Sequence, residues 1–481
     1  MRIARLFLPT ATVCLVAIAL AQAETPETAP QPTAAEAEQL ITDGDRLADQ
    51  ADYRGALQRY TEAYHTIVSG IRGQQFTTRV LPNLLTREQL GEEMLRIMHE
   101  EYTAEELALM DASFKVFGLM PPEINSKELM AKLLTEEVAG FYDPDKKRMV
   151  LIRENGSAKE PGFLGRLLGM KPAFDKAEQK TTLAHEMTHA LQDQLYDLKS
   201  MQKRVEKDDD LSLAFSALVE GDATLLMFAE MDEGTDITEM EPEVIRATFS
   251  MMSWMVPLAG GATLRKAPAI FRESLTFPYF QGMVFCISVT GKQGWPALHA
   301  AYADPPVSTE QILHPSKYTA AERDDPQLVV IPDLKNGTVP ATWKHLGGNC
   351  LGEFQTSILL KRLRSGARAS AGWDGDRYEV FQHPDGQLGL VFVSVWDSQR
   401  DAEEFAAAYK EYRQPPQNGR GTETPSDQPQ ADTTSAAVER LIQQQGDKVW
   451  IVEGFSQDET KQIAAQLPNS RFEPKHFPAA K

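Results

Sequence analysis

Between Thr181 and Asp193 the chain reads T-T-L-A-H-E-M-T-H-A-L-Q-D, and this stretch constrains the fold more than any other. At about 100° per residue on an α-helix, Leu183, Ala184, Met187, Ala190, Leu191 and Leu195 fall on one broad arc, with His185 and His189 on the opposite side. The run is therefore a helix with one face in a core and its histidines toward a cleft. Four residues is slightly more than one turn, so both imidazoles leave the same side and can reach a single divalent ion. Glu186 sits beside the pair, where a carboxylate can take a proton from a water that such an ion acidifies. The bland alternative is a pair of surface histidines on an amphipathic helix.

A third donor is expected on a second helix. Leu211 to Glu230, L-S-L-A-F-S-A-L-V-E-G-D-A-T-L-L-M-F-A-E, is apolar nearly all round and so reads as a buried helix. Its interior acids, Glu220 and Asp222, are costly there unless they are paired or bound to metal. Glu220 is the expected third ligand, and Gly221 beside it allows close backbone approach. Asp222 is the rival ligand, or a group that orients an imidazole; Glu220 as a merely salt-bridged acid is the structural alternative. The set predicts one Zn²⁺ per chain on His185, His189 and Glu220, with Glu186 as general base.

His185-Glu186-Met187-Thr188-His189-Ala190, with Asp193 four residues beyond, resembles the active-site helix of thermolysin-like peptidases. Glu220-Gly221-Asp222-Ala223 resembles the glutamate helix of gluzincins, zinc peptidases that take their third ligand from a downstream Glu. The resemblance implies a zincin-like fold over roughly residues 135 to 230, and it puts Asp193 behind the ligands as a supporting acid. Where thermolysin-like enzymes have Asn before the third ligand and Asp four residues after it, this chain has Val219 and Thr224. The longer run from Phe141-Tyr142-Asp143-Pro144 to Ile312-Leu313-His314-Pro315 resembles an uncharacterised group of exported bacterial gluzincin-like proteins, which assigns no substrate.

Met1 to Ala23 has Arg2 and Arg5, an apolar stretch from Leu6 to Leu20 and the small-x-small ending Ala21-Gln22-Ala23. That pattern is a secretory signal cleaved before Glu24, with an uncleaved membrane anchor as the alternative. Export to the periplasm or the extracellular space follows. Cys286 and Cys350 then remain, free to pair in an oxidising compartment or simply buried. The net charge of −20 becomes more negative when Arg2 and Arg5 leave. Such a chain repels phosphate backbones and anionic lipid surfaces, so neither nucleic acid nor stable membrane insertion after cleavage is expected.

The expected fold is α+β and mostly helical. After a flexible lead-in at 24–38, residues 39–134 form a helical region that opens with a single tetratricopeptide-like pair, Leu40 to Gln50 and Tyr53 to Val68. One such pair is expected to pack on its own chain rather than to bind partners. Further helices, Thr86 to His99 and Ala104 to Val116, belong either to a removable pro-segment or to a permanent subdomain. The metallopeptidase domain is expected at 135–345. It begins with a hairpin over Val138 to Ile152, whose strand Met149 to Ile152 is expected to present a free edge to substrate. Glu154 to Phe174 reads as a flap, and Pro242 to Met255 and Pro278 to Val289 as helices. A donor for the oxyanion is sought in His314 or Tyr318, with Tyr142, His299 and His345 as weaker candidates. His65, His99, His383 and His476 are assigned structural or surface roles. Residues 346–481 form a small α+β domain: helix Leu351 to Leu363, strands Tyr378 to Gln382 and Leu388 to Trp396, helix Ser398 to Tyr412, a disordered insert at 415–434, helix Val438 to Gln445, strand Lys448 to Val452 and helix Glu459 to Leu467.

The functional expectation is an exported zinc metallopeptidase, an endopeptidase acting on peptide or protein substrates. The rivals are a zinc hydrolase of a non-protein amide, such as cell-wall material, and a non-catalytic envelope protein that meets partners through its N-terminal helices or C-terminal domain.

Overall fold

The computed structural model describes residues 31–479 apart from 138–139, 145, 153–175, 232–235, 237–239, 253–261, 322 and 415–439. The expected signal at 1–23, most of the lead-in, the flap and the 415–434 insert lie outside the described residues.

The N-terminal pair is a helical hairpin, α1 (Ala34–Asp49) and α2 (Tyr53–Arg72). Thr33 and Glu36 form a capping box that starts α1, so helix begins inside the stretch expected to be flexible. Gly73 ends α2 in the left-handed region at φ 67°. Strand β1 (Pro82–Leu85) follows, then α3 (Arg87–Glu101), α4 (Ala104–Phe117) and α5 (Ser126–Glu137). Capping boxes at Thr86/Gln89 and Thr103/Glu106 start α3 and α4.

The hairpin is β2 (Gly140–Asp143) and β3 (Arg148–Ile152), paired antiparallel. Strand β1 pairs parallel with the other side of β3, Pro82 opposite Met149 through Leu85 opposite Ile152. The order is β1-β3-β2, so β3 is the inner strand and Met149 to Ile152 has no free edge. The four-residue run Pro82-Asn83-Leu84-Leu85 was too short to read as the strand that covers it.

The motif helix is α6 (Lys176–Tyr196), followed by α7 (Leu198–Val205) and the buried helix α8 (Asp209–Met231). By length and composition α8 could cross a membrane, yet almost all of it is buried inside the protein. After it come α9 (Pro242–Met252), α10 (Ala262–Lys266), α11 (Ala269–Thr290), α12 (Trp295–Ala301), α13 (Thr309–Leu313) and α14 (Pro315–Thr319). Helix α11 runs straight through Pro278. It meets α8 backbone to backbone: a Cβ on Gly221 would lie 2.1 Å from the Gly282 carbonyl carbon, and one on Gly282 would lie 2.1 Å from the Ala217 carbonyl oxygen.

The C-terminal part adds β4 (Gln327–Val330), β5 (Lys344–Asn349), α15 (Gly352–Leu360), α16 (Gly366–Ser370), β6 (Trp373–Gln382), β7 (Leu388–Trp396), α17 (Gln399–Tyr412), β8 (Arg440–Gln445), β9 (Lys448–Glu453), α18 (Gln457–Ala464) and β10 (Arg471–Pro474). Its main sheet has the order β5-β6-β7-β9-β8 and is antiparallel throughout. Val438 to Gln445 was expected as a helix; from Arg440 it is the edge strand β8, because pairing with β9 outweighs the helix preference of Leu and Gln.

Two of the hydrophobic cores bear on the site. One is continuous from the helices into the C-terminal sheet, with Phe117 of α4 set edge-on against Tyr378 and Phe392. The other joins Leu57, Tyr60, Tyr64 and Val68 of α2 to Leu183, Ala184, Met187, Ala190 and Leu191 of α6, the apolar arc read from the sequence. The tetratricopeptide-like hairpin thus packs on its own chain. Cys286 and Cys350 are free thiols, both buried.

Candidate metal centre

Helices α6 and α8 bring His185, His189 and Glu220 together. His185 Nε2 lies 3.0 Å from Glu220 Oε2 and 3.0 Å from His189 Nε2, and His189 Nε2 lies 3.4 Å from the same carboxylate oxygen. All three side chains are buried. A tetrahedral zinc ion with bonds of about 2.0–2.1 Å separates its ligand atoms by roughly 3.3 Å, so the donor set fits that ion. Glu220 Oε1 has no hydrogen-bond partner, which a buried carboxylate in a finished ion pair would have found. Among the described residues no fourth His, Cys, Asp or Glu joins the cluster. Three described donors match the number of protein ligands in an open site, where a closed structural one takes four. Burial works against charge on Glu220, but the two imidazoles hold its carboxyl down to about 2.

Glu186 faces the same cluster. Its Oε2 accepts the Tyr142 N–H of β2 at 2.8 Å. Burial raises the Glu186 pKa above the ordinary carboxylate value against the pull of both imidazoles, which makes it a better proton acceptor. The strand whose backbone holds the candidate base is thus β2, one of the sheet's two outer strands.

Two networks surround the ligands. His189 Nδ1 donates to Gln192 Oε1 at 2.9 Å, and Gln192 Nε2 donates to the Val219 carbonyl at 3.1 Å and to Asp222 Oδ2 at 2.9 Å. Asp222 also accepts from Arg72 at 2.9 Å and from the Tyr302 hydroxyl at 2.8 Å. Asp222 is thus no ligand; it acts on His189 through Gln192. The second network is Asp193, which accepts from the Tyr142 hydroxyl at 3.1 Å and from Lys147 at 2.5 Å. Asp193 braces the β2–β3 hairpin instead of an imidazole, and His185 Nδ1 has no partner.

His314 and Tyr318 are engaged elsewhere. His314 Nε2 pairs with Glu353 Oε1 at 2.9 Å, and the Tyr318 hydroxyl donates to the Asp304 carbonyl at 2.9 Å. Neither touches the cluster. His299 bonds Tyr196 and His345 bonds Glu379, each at 2.5 Å, while His65 is held between the Thr61 carbonyl and the Val80 N–H.

The residue at the cluster that sequence reasoning missed is Tyr279 of α11. Its ring stacks on the His185 imidazole, centroids 5.9 Å apart with planes at 28°, close enough to Glu220 for that carboxylate's charge to bear on the phenol. Burial and the charges of Glu220 and Glu186 push the phenol pKa well above 10, so Tyr279 keeps its proton and can donate it in a hydrogen bond. Its neighbours Pro278 and Gly282 read in sequence as interruptions of an apolar run. Their outcome is a helix close enough to α8 to carry a phenol to the ligands.

A family model described as a domain of unknown function (DUF8575) matches residues 342–464, the C-terminal sheet and its helices. No curated protein and no solved structure matches the chain.

Proposed function

We propose that the chain is an exported zinc-dependent metallopeptidase, cleaving internal peptide bonds, with His185, His189 and Glu220 holding the ion. The observation that carries this is the convergence of two imidazole Nε2 atoms and one carboxylate oxygen beside a second carboxylate that belongs to none of their pairings. When bound, the ion supplies Lewis acidity toward water and toward the scissile carbonyl.

The protein's own groups do the rest. Glu186, with one oxygen anchored by the Tyr142 amide, receives the proton of the attacking water on its other oxygen and delivers it to the leaving nitrogen. Tyr279, whose ring lies against His185, donates its hydroxyl to the carbonyl oxygen as negative charge builds there. The burial of the cluster strengthens each of these interactions relative to water. The resemblance of the two helices to those of gluzincins supports the same assignment.

The test joins metal content to turnover of a casein or mixed-peptide substrate. Wild-type chain should carry about one zinc, and Glu220→Ala much less. Glu186→Gln should keep its zinc and lose hydrolysis. Undiminished turnover by Glu186→Gln removes the base assignment, and a wild type that takes up no zinc at neutral pH removes the metal centre.

A further inference from the structure

The metal centre reaches back to the N-terminal hairpin. Arg72, the last residue of α2, has a side chain 2% exposed and sits 2.9 Å from Asp222, whose side chain is fully buried. Its guanidinium carbon lies 4.8 Å above the Trp295 ring. A lone carboxylate at such depth is costly, and Arg72 is the counter-charge that keeps Asp222 in place as an acceptor.

The orientation of Gln192 follows from that carboxylate. Asp222 Oδ2 and the Val219 carbonyl both require a donor, so the amide nitrogen faces them and the amide oxygen faces His189. An amide oxygen only accepts, so His189 must carry its proton on Nδ1. That leaves the Nε2 lone pair for the point it shares with His185 and Glu220. With the amide turned round, an NH₂ group would face Nδ1 and select the tautomer whose Nε2 is already protonated.

Resting on the assignment of His185, His189 and Glu220 as metal ligands, we propose that the α1–α2 hairpin is a built-in part of the metal centre. Arg72 is a positioning residue that locks His189 in its Nδ1–H tautomer through Asp222 and Gln192. The hairpin is bound to the rest of the chain at further points: the Tyr64 hydroxyl donates to Glu230 at 2.6 Å, and Lys180 bonds Asp45 at 3.1 Å. It is therefore no removable cover. Cutting the hairpin away inactivates the centre instead of exposing it.

The experiment is zinc affinity by chelator competition on the full chain, with the thermal midpoint of the metal-free protein measured beside it. Arg72→Met with Asp222→Asn removes both charges together, so neither is left buried alone. Asn offers either a donor or an acceptor, and the lock is lost; zinc should bind about 10- to 100-fold more weakly. Adding Gln192→Glu to that background should bring affinity back to within a few-fold of wild type, because an ionised carboxylate only accepts from Nδ1, while the lost thermal stability stays lost. Gln192→Leu alone, with the Arg72–Asp222 pair intact, should weaken zinc to the same degree and stands in if the double variant folds poorly. Wild-type affinity in the double variant or in Gln192→Leu overturns the lock, and so does a failed rescue. Absence of zinc from the wild type is a different result, since it removes the ligand assignment itself and the lock with it.

Discussion

Gly221→Ala is a small change with a large expected effect. The added methyl would stand 2.1 Å from the Gly282 carbonyl carbon and 2.3 Å from its oxygen, whereas ordinary contact begins at 3.4 Å. No side chain can rotate aside, since the obstacle is the backbone of α11, and the two helices must separate by over an ångström. Overpacking of this kind costs up to about 3 kcal/mol, against which Ala returns about 1 kcal/mol of helix preference over Gly, for a net loss near 2 kcal/mol. In a protein of this size, whose unfolding entropy is about 1 kcal/mol per kelvin, that is a fall in melting temperature of roughly 2 °C. Zinc affinity should fall as well, because Glu220 precedes Gly221 on α8 and Tyr279 lies one turn from Gly282 on α11. Gly70→Ala is the control: at this exposed position of α2 its Cβ meets nothing within 4 Å, so the same substitution should stabilise by about 0.5–1 kcal/mol. Differential scanning fluorimetry and chelator competition on the two variants test the pair. A Gly221→Ala chain that melts at or above wild type would refute the backbone contact between α8 and α11.

Two further outcomes are expected. Tyr279→Phe should lower kcat by about 10²–10³-fold with zinc content and KM little changed, because it removes a donor that acts on developing charge; an unchanged kcat leaves Tyr279 a packing residue. Glu93 of α3 is gripped by Arg96 at 2.6 Å, Lys146 at 2.9 Å and Arg148 at 2.6 Å, and the Arg96 hydrogen bonds, with Lys146 behind them, hold its carboxyl down from 4.5 to about 2. Between those values the unfolded chain binds the proton more readily, so the stability Glu93 supplies is complete above about pH 4.5 and fades as pH falls toward 2. Urea midpoints of wild type and Glu93→Gln should therefore converge on acidification through that window, and a gap independent of pH would show that the carboxylate's charge is not what ties α3 to the β2–β3 hairpin.

Much of this protein was legible in one dimension because some residues carry their geometry with them. His185, Glu186 and His189 are neighbours on any α-helix, whatever surrounds it, and a carboxylate inside an otherwise apolar helix announces that something must compensate it, which singled out Glu220. The apolar arc of α6 and the apolar runs of β7 and β9 likewise depend on residues a few places apart. The remainder depends on contacts between distant segments. Arg72 and Asp222 are 150 residues apart in the chain, and nothing around Arg72 sets it apart from a surface arginine at a helix end. The strand beside the candidate base is β2 and not β3, because β1 occupies the edge that β3 was expected to leave open. His314 and Tyr318 had plausible chemistry in the wrong place, while Tyr279 had no pattern at all and reaches the ligands only because two glycine-bearing helices touch. Local spacing picked out the candidate ligands; the packing of α2, α8 and α11 decided which side chains lie against them, because burial and backbone contact are properties of the assembled core and not of any one segment.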